Sequence, residues 1–136
     1  MDKILTADDL RAIASKVTLP DIMNSFIEFI ITMVVAHTEH MEERKKWAAF
    51  NGCYSARVSC ALSMVNFPFT SEQRYDIQTV YTEMWIRILK ENGFEIVEGH
   101  CKTSPEHGLI TFSWGYSDKK VIGNEILLTL NDLLDA

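Results

Sequence analysis

One short loop holds two histidines and a cysteine, side chains that can bind a metal or take part in catalysis. His100, Cys101 and His107 lie between two apolar runs, and with Cys53 they would supply the imidazole and thiolate ligands that Zn²⁺ prefers. Their spacing lacks the paired short-range ligands of recognisable zinc sites. Serine, proline and glycine in the same loop are typical of a hairpin connection. We therefore interpret residues 99–108 as a connection, and a metal-binding protein or small enzyme using this loop is the alternative.

A second group of possible ligands lies in the stretch HTEHMEERKK. His37 and His40 could share a helix face with Glu43, because residues three and four apart are neighbours on a helix. The stretch lacks the glutamate-centred histidine pair of hydrolytic zinc helices, in which the histidines are four apart. We interpret it as a solvated helical face with ion pairs to Arg44 and Lys45.

Other catalytic patterns are not visible in the sequence. The six glycines stand singly, so no glycine-rich phosphate loop can be assembled from neighbours. No serine lies in a nucleophile elbow, and the histidines have no evident orienting partner. The sequence therefore predicts no catalytic residue, no cofactor and no metal ligand, and it leans away from an enzyme.

The charge balance bears on the class of partner. Nineteen acidic residues against 13 basic ones give a net charge of -6, and such a field repels nucleic acid and anionic membrane surfaces. A helix and hairpin over residues 71–114 could suggest a winged helix, but its charges are mixed. The stretch FIEFIITMVVAH carries Glu28 and is shorter than the roughly 20 apolar residues of a spanning helix. We predict neither a nucleic-acid nor a membrane partner.

Cysteine usage and the first residues indicate a compartment. Three widely spaced cysteines fit reduced thiols in a cytosol better than a disulfide framework. The opening MDKILTADDL places acids where a signal peptide has a basic region and an apolar run. The sequence therefore predicts a cytoplasmic protein.

The remaining patterns predict a single α+β domain over residues 1–136. A threonine followed three residues later by an acid or amide begins a helix at Thr6 and again at Thr70, and Thr18 or Asp21 caps a long helix with Pro20 in its first turn. Apolar residues at every even position of 53–65 favour a strand over a helix. Two shorter strands are predicted at 94–97 and 109–114 and are expected to pair, and a leucine-rich helix follows.

These elements predict four helices and a three-stranded antiparallel sheet, with one layer of helices covering one face of the sheet. The elements follow one another as helix, long helix, strand, helix, strand, strand, helix. The order of the strands in the sheet stays open at this point.

The sequence carries more apolar residues than a chain of 136 residues easily hides. The helix after Pro20 is apolar nearly all round, and the last helix has a leucine stripe that must pack on the core or on a partner. Self-association is therefore the leading functional expectation, against the alternative of one dense monomeric core. The candidate interaction residues are Phe26, Phe29, Ile30, Val34, Trp47, Trp114, Leu127, Leu130 and Leu134.

Three stretches, read in order, resemble small α+β proteins encoded by tailed bacteriophages. They are WAAFNGCYSARVSCAL, WIRILKENGFEIV and GLITFSWG, and they span Trp47 to Gly115. In the family a helix ends in glycine before a tyrosine-containing strand, and a later strand ends in a tryptophan. The resemblance implies a virion-associated or host-directed accessory protein without a known active site, and it transfers no functional residue.

Overall fold

The computed structural model describes residues 4–99, 101–115 and 120–135, and of residues 120–123 the backbone alone. The elements follow in the predicted order, which confirms the α+β class with four helices and a three-stranded antiparallel sheet. They are α1 Ala7–Ala14, α2 Leu19–Phe50, β1 Ser55–Ser59, α3 Ser71–Glu91, β2 Glu95–Ile96, β3 Leu109–Ser113 and α4 Lys120–Asp135, with a short 3-10 turn at Pro105–His107 before β3.

The first three helices begin with the same cap. A threonine hydroxyl accepts a hydrogen bond from the backbone amide three residues later, and the side chain at that later position accepts from the threonine amide. Each cap satisfies two of the amides that a helix start leaves free. The pairs are Thr6 with Asp9, Thr18 with Asp21 and Thr70 with Gln73. The first and the last are predicted by the sequence, whereas at the second helix the sequence leaves Thr18 and Asp21 as alternatives and both take part.

The sheet has the order β1-β3-β2, so the last strand in sequence lies in the centre. Arg57 of β1 lies opposite Thr111, and Ile96 of β2 lies opposite Phe112. The predicted pairing of the two later strands is confirmed. The predicted strand over 53–65 is shorter than expected, because the paired part of it ends at Ser59.

A glutamine side chain takes over where the pairing of β1 ends. Oε1 of Gln78 accepts a hydrogen bond from the amide of Leu62 at 2.6 Å. Its Nε2 donates to the carbonyl of Cys60 at 3.0 Å and to the hydroxyl of Thr82 at 2.9 Å. Cys60, Leu62 and Met64 stay buried while Ala61 and Ser63 are exposed. The alternation of buried and exposed side chains therefore continues past the paired strand, in a segment that Gln78 holds against α3.

One face of the sheet carries the core. The even-numbered side chains of β1 and β3 point to α2 and α3, and Ile110 and Phe112 are fully enclosed. The odd-numbered face of β1 is exposed and polar. The buried hydrophobic residues are Met41, Ala48, Ala56, Val58, Cys60, Leu62, Met64, Tyr81, Trp85, Leu89, Ile110 and Phe112.

The polar stretch of α2 is not wholly solvated, so the interpretation of His37 as part of a solvated face is wrong. His37 is only 8% exposed, and its Nδ1 lies 2.6 Å from the hydroxyl of Tyr81. Met41, one turn later, is also buried. The physical reason is that tyrosine gives the imidazole a hydrogen-bond partner inside the core. Of the expected ion pairs, that of Lys45 forms with Glu42 at 2.5 Å.

The buried histidine predicts how stability depends on pH. Burial, and secondarily the charge of His40, lower the pKa of His37 from its ordinary value of 6.5. The unfolded chain therefore binds this proton more readily than the folded chain. The contribution to stability is fully present above pH 6.5 and is lost as the pH falls through that value toward the folded pKa.

We expect the free energy of unfolding, measured by urea titration at a series of pH values, to fall as the pH is lowered below neutrality. His37→Leu removes the titrating group and should flatten this part of the profile. A profile of unchanged slope in the variant would contradict the assignment.

Candidate interaction surface

The first two helices present apolar side chains to solvent. None of the residues of α1 is buried, and Leu10 and Ile13 are more than half exposed. Along the first half of α2, a row with i, i+4 spacing lies on one face of the helix. This row, which we call the α2 stripe, consists of Met23, Ile27, Ile31 and Val35, and each of its members is about half exposed or more.

The neighbouring face of α2 is partly covered by the chain itself. The ring of Phe26 lies 5.3 Å from that of Phe67 and 5.1 Å from that of Phe69, both in edge-to-face geometry. Phe29 also contacts Phe67, at 5.2 Å. These contacts fasten the loop before α3 onto α2. Four of the candidate interaction residues, Phe26, Phe29, Ile30 and Val34, therefore lie half-buried on this side.

The last helix is open on all the sides that the structure describes. Every side chain of residues 124–135 is exposed. Leu127, Leu130 and Leu134 expose 59%, 49% and 82% of their surface, and Ile126, Leu128 and Leu133 expose a similar share. The sequence predicts that the leucine stripe packs either on the core of its own chain or on a partner. In the structure it does not pack on the core of its own chain.

The two candidate tryptophans are in different surroundings. Trp47, near the end of α2, is 61% exposed. Trp114 is half-buried, and its ring lies 6.2 Å from the rings of both Phe94 and Phe112. Trp114 thus belongs mainly to the edge of the core, whereas Trp47 belongs to the surface.

Two open grooves flank the first half of α2. One, of about 790 Å³, runs between the α1–α2 corner and residues 65–68, with Val17, Ile22 and Phe67 among its walls. The other, of about 430 Å³, separates α2 from α3 and is lined by Ile30, Val80 and other apolar side chains. The uncovered apolar surface is therefore concave as well as extended.

By length and composition α2 could also cross a membrane, and it is the one helix of the described residues that could. The stretch FIEFIITMVVAH falls short of this when it is considered alone. Within the structure, however, the phenylalanines of the 65–69 loop and Tyr81 of α3 pack along the same helix. These contacts cover one side of α2 in part, and no residue of its most apolar 18-residue window is fully buried.

The loop with the two histidines connects β2 and β3, as expected. His107 is bonded through Nδ1 to the hydroxyl of Ser104 at 2.7 Å, Cys101 is exposed, and His100 lies outside the described residues. No group of three histidine, cysteine or acidic side chains within the described ranges could hold a metal. Of the other cysteines, Cys60 is enclosed, and burial raises the pKa of its thiol to about 11.

The sequence did not identify the α2 stripe as the exposed face. All its residues stand in the stretch that is apolar nearly all round, and their i, i+4 spacing is visible there. Which face stays open depends on the loop carrying Phe67 and Phe69, and that loop is packed by tertiary contacts. Periodicity along one helix cannot supply this information.

Comparison with protein-family models, with curated proteins and with solved structures gives no match. A functional proposal for this protein therefore depends on which side chains are exposed and on the shape of the surface that they form.

Proposed function

We propose that the protein works by binding polypeptide and that its first partner is a second copy of itself, joined through the α2 stripe and α4. The phage resemblance extends the proposal to a structural or host-directed accessory protein that acts in the cytoplasm of a host or in a virion. The observation that carries the proposal is the set of exposed apolar side chains on α2 and α4.

The total surface supports this proposal quantitatively. A compact monomer of 15.6 kDa is expected to expose about 7,200 Å², whereas this chain exposes 10313 Å². The excess is about 3,000 Å² per chain, so two copies would bury about 6,000 Å² together, at the upper end of what obligate homodimers bury. Most of the exposed large hydrophobic residues lie on α1, α2 and α4. Covering these helices would therefore remove mainly apolar surface from water, which is the burial that stabilises association most.

A second copy is the partner that the shapes favour. The α4 helix carries a narrow row of leucines, and the groove between α2 and α3 is lined almost wholly by apolar side chains. An apolar helix laid into an apolar groove is a recurring mode of protein recognition. Each copy supplies one apolar helix, one groove and one α2 stripe, so two copies can seat α4 of one in the groove of the other and pack their α2 stripes together.

The test is the molar mass in solution, measured by sedimentation equilibrium at micromolar concentrations. We expect the unchanged chain to be a dimer or a larger closed assembly. Ile27→Lys combined with Ile31→Lys places two charges in the α2 stripe, and Leu130→Lys places one in α4. Each variant should shift the assembly toward monomer, with a dissociation constant raised about tenfold or more.

Tyr75→Lys is the matched control, because Tyr75 is an exposed aromatic residue of α3 that lies outside the α2 stripe and α4. It should leave the mass unchanged. A strictly monomeric unchanged chain would overturn the proposal. So would binding of the chain to neutral lipid vesicles that Ile27→Lys with Ile31→Lys abolishes, because the stripe would then serve a membrane.

A further inference from the structure

A small cleft at the end of α2 collects positive charge. It has a volume of about 250 Å³ and lies between the end of α2, the start of β1 and the loop after β2. Arg44, Arg57 and Lys102 all line it, and none of the other described residues in its wall is acidic. A chain with a net charge of -6 thus concentrates three of its 13 cations at one place.

None of the three cations is neutralised by an ion pair within the described ranges. The ion pairs there join Arg11 to Asp8, Lys45 to Glu42 and His107 to Glu106. The guanidinium of Arg44 lies 5.7 Å from the ring centroid of Trp47, which orients it without supplying a counter-charge. Glu106 lines a neighbouring cleft to which Arg57 also contributes, and its carboxylate lies 3.7 Å from Nδ1 of His107.

The fold holds these cations in place from three separate elements. Arg44 is fixed on α2, and Arg57 stands in the paired part of β1 opposite Thr111. The backbone of Lys102 is bonded on both sides, since its amide donates to the carbonyl of Gly99 at 3.1 Å and its carbonyl accepts from the hydroxyl of Thr111.

The residue before this lysine adopts an unusual backbone conformation. Cys101 has a φ of 66°, in the left-handed region that residues other than glycine seldom adopt. Such conformations persist where the surrounding structure enforces them. Here the turn brings Lys102 over the open face of the sheet, beside Arg57.

We infer that this cleft binds a small phosphate-bearing ligand with an aromatic ring. Like charges held close together repel one another, so an anion between them is the stable complement. Arginine forks and a lysine ammonium match the oxygens of a phosphate dianion. The exposed indole of Trp47 provides a flat apolar wall for a ring. The volume lies just below the usual range of about 300–1,000 Å³ for ligand pockets, which suits a single phosphorylated ring.

The experiment is a titration of the ¹⁵N-labelled full chain at low ionic strength, followed by the backbone amide shifts. The probes are phenyl phosphate, inorganic phosphate and the neutral benzyl alcohol. We expect phenyl phosphate to bind in the millimolar range or tighter and to shift amides of residues 53–57, 102, 103 and 111. Inorganic phosphate should bind the same residues more weakly, and benzyl alcohol should not produce the pattern. Added sodium chloride should weaken both anions.

Arg57→Gln and Lys102→Gln should each weaken phenyl phosphate about tenfold, because a charge-assisted hydrogen bond is lost in each. Lys46→Gln is the control, since it removes one charge from the same protein without lining the cleft. Trp47→Ala should bring phenyl phosphate down to the affinity of inorganic phosphate. All the substituted residues are exposed, and circular dichroism verifies that each variant is folded.

Two outcomes would overturn the inference. One is an absence of localised shifts with both anions in the unchanged chain. The other is an equal loss of affinity in Lys46→Gln and Arg57→Gln, because binding would then follow overall charge rather than this site. Both outcomes leave the proposed self-association unaffected, since that is measured as molar mass.

Discussion

Gly108→Ala is expected to destabilise the fold by about 2–5 kcal/mol. Gly108 has a φ of 72°, and a Cβ atom added there would lie 2.6 Å from the amide nitrogen of Ala61 and 2.9 Å from Nε2 of Gln78. The carbonyl of the same glycine accepts a hydrogen bond from the amide of Cys60 at 2.7 Å. The segments around Gly108 and Ala61 cannot move apart to admit a methyl group without breaking that hydrogen bond. Urea unfolding followed by circular dichroism measures the effect.

Gly93→Ala separates the two causes of this loss. Gly93 has a similar φ of 88°, but an added Cβ would meet nothing within 4 Å. The substitution should therefore lower the free energy of unfolding by about 1–2 kcal/mol, the cost of placing alanine in a left-handed conformation. The difference between the two variants is the steric part. Equal losses at both positions would mean that the close approach of Gly108 to Ala61 is not a real constraint.

Gln78→Leu is expected to cost about 2–4 kcal/mol in the free energy of unfolding, because two buried backbone groups lose their partner together. These are the amide of Leu62 and the carbonyl of Cys60. Leucine is close in size to glutamine, so the loss reports hydrogen bonding more than volume. Hydrogen exchange of the Leu62 amide should accelerate in the variant more than that of amides in the β1–β3 ladder.

Thr79→Leu is the control for this prediction. Thr79 follows Gln78 on α3, is half-buried, and its hydroxyl donates to the carbonyl of Tyr75 in its own helix. Its replacement should change the free energy of unfolding by no more than about 0.5 kcal/mol. A comparable loss in both variants would indicate a general effect on α3 rather than the loss of the bonds that Gln78 makes.

Much of the fold is readable from the sequence because its signals are local. The caps at Thr6, Thr18 and Thr70 depend on side chains three residues apart, and the alternation of 53–65 depends on a period of two. The caps at Thr6 and Thr70 and the alternation were predicted and are present, and at the second helix Thr18 was one of two predicted caps. The end of the ladder at Ser59 was not predictable, since it depends on where β3 begins and on Gln78 reaching across from α3.

Long-range contacts also explain the error at His37. The residues around it are polar, so the local pattern indicates a solvated face. Its partner, Tyr81, lies 44 residues later, and the contact depends on how α2 and α3 lie against the sheet. The same limit applies to the basic cleft, where Arg44, Arg57 and Lys102 come from three elements and share no sequence motif.

The length of α2 has a consequence for any assembly. Its 32 residues extend about 48 Å, whereas the five residues of β1 extend about 17 Å, and its buried residues are His37, Met41 and Ala48 in the second half. The first half of α2 therefore extends past the sheet. In a dimer joined through the first halves of α2, the two sheets would lie apart. The polar face of each sheet, with its basic cleft, would then stay accessible to a solute.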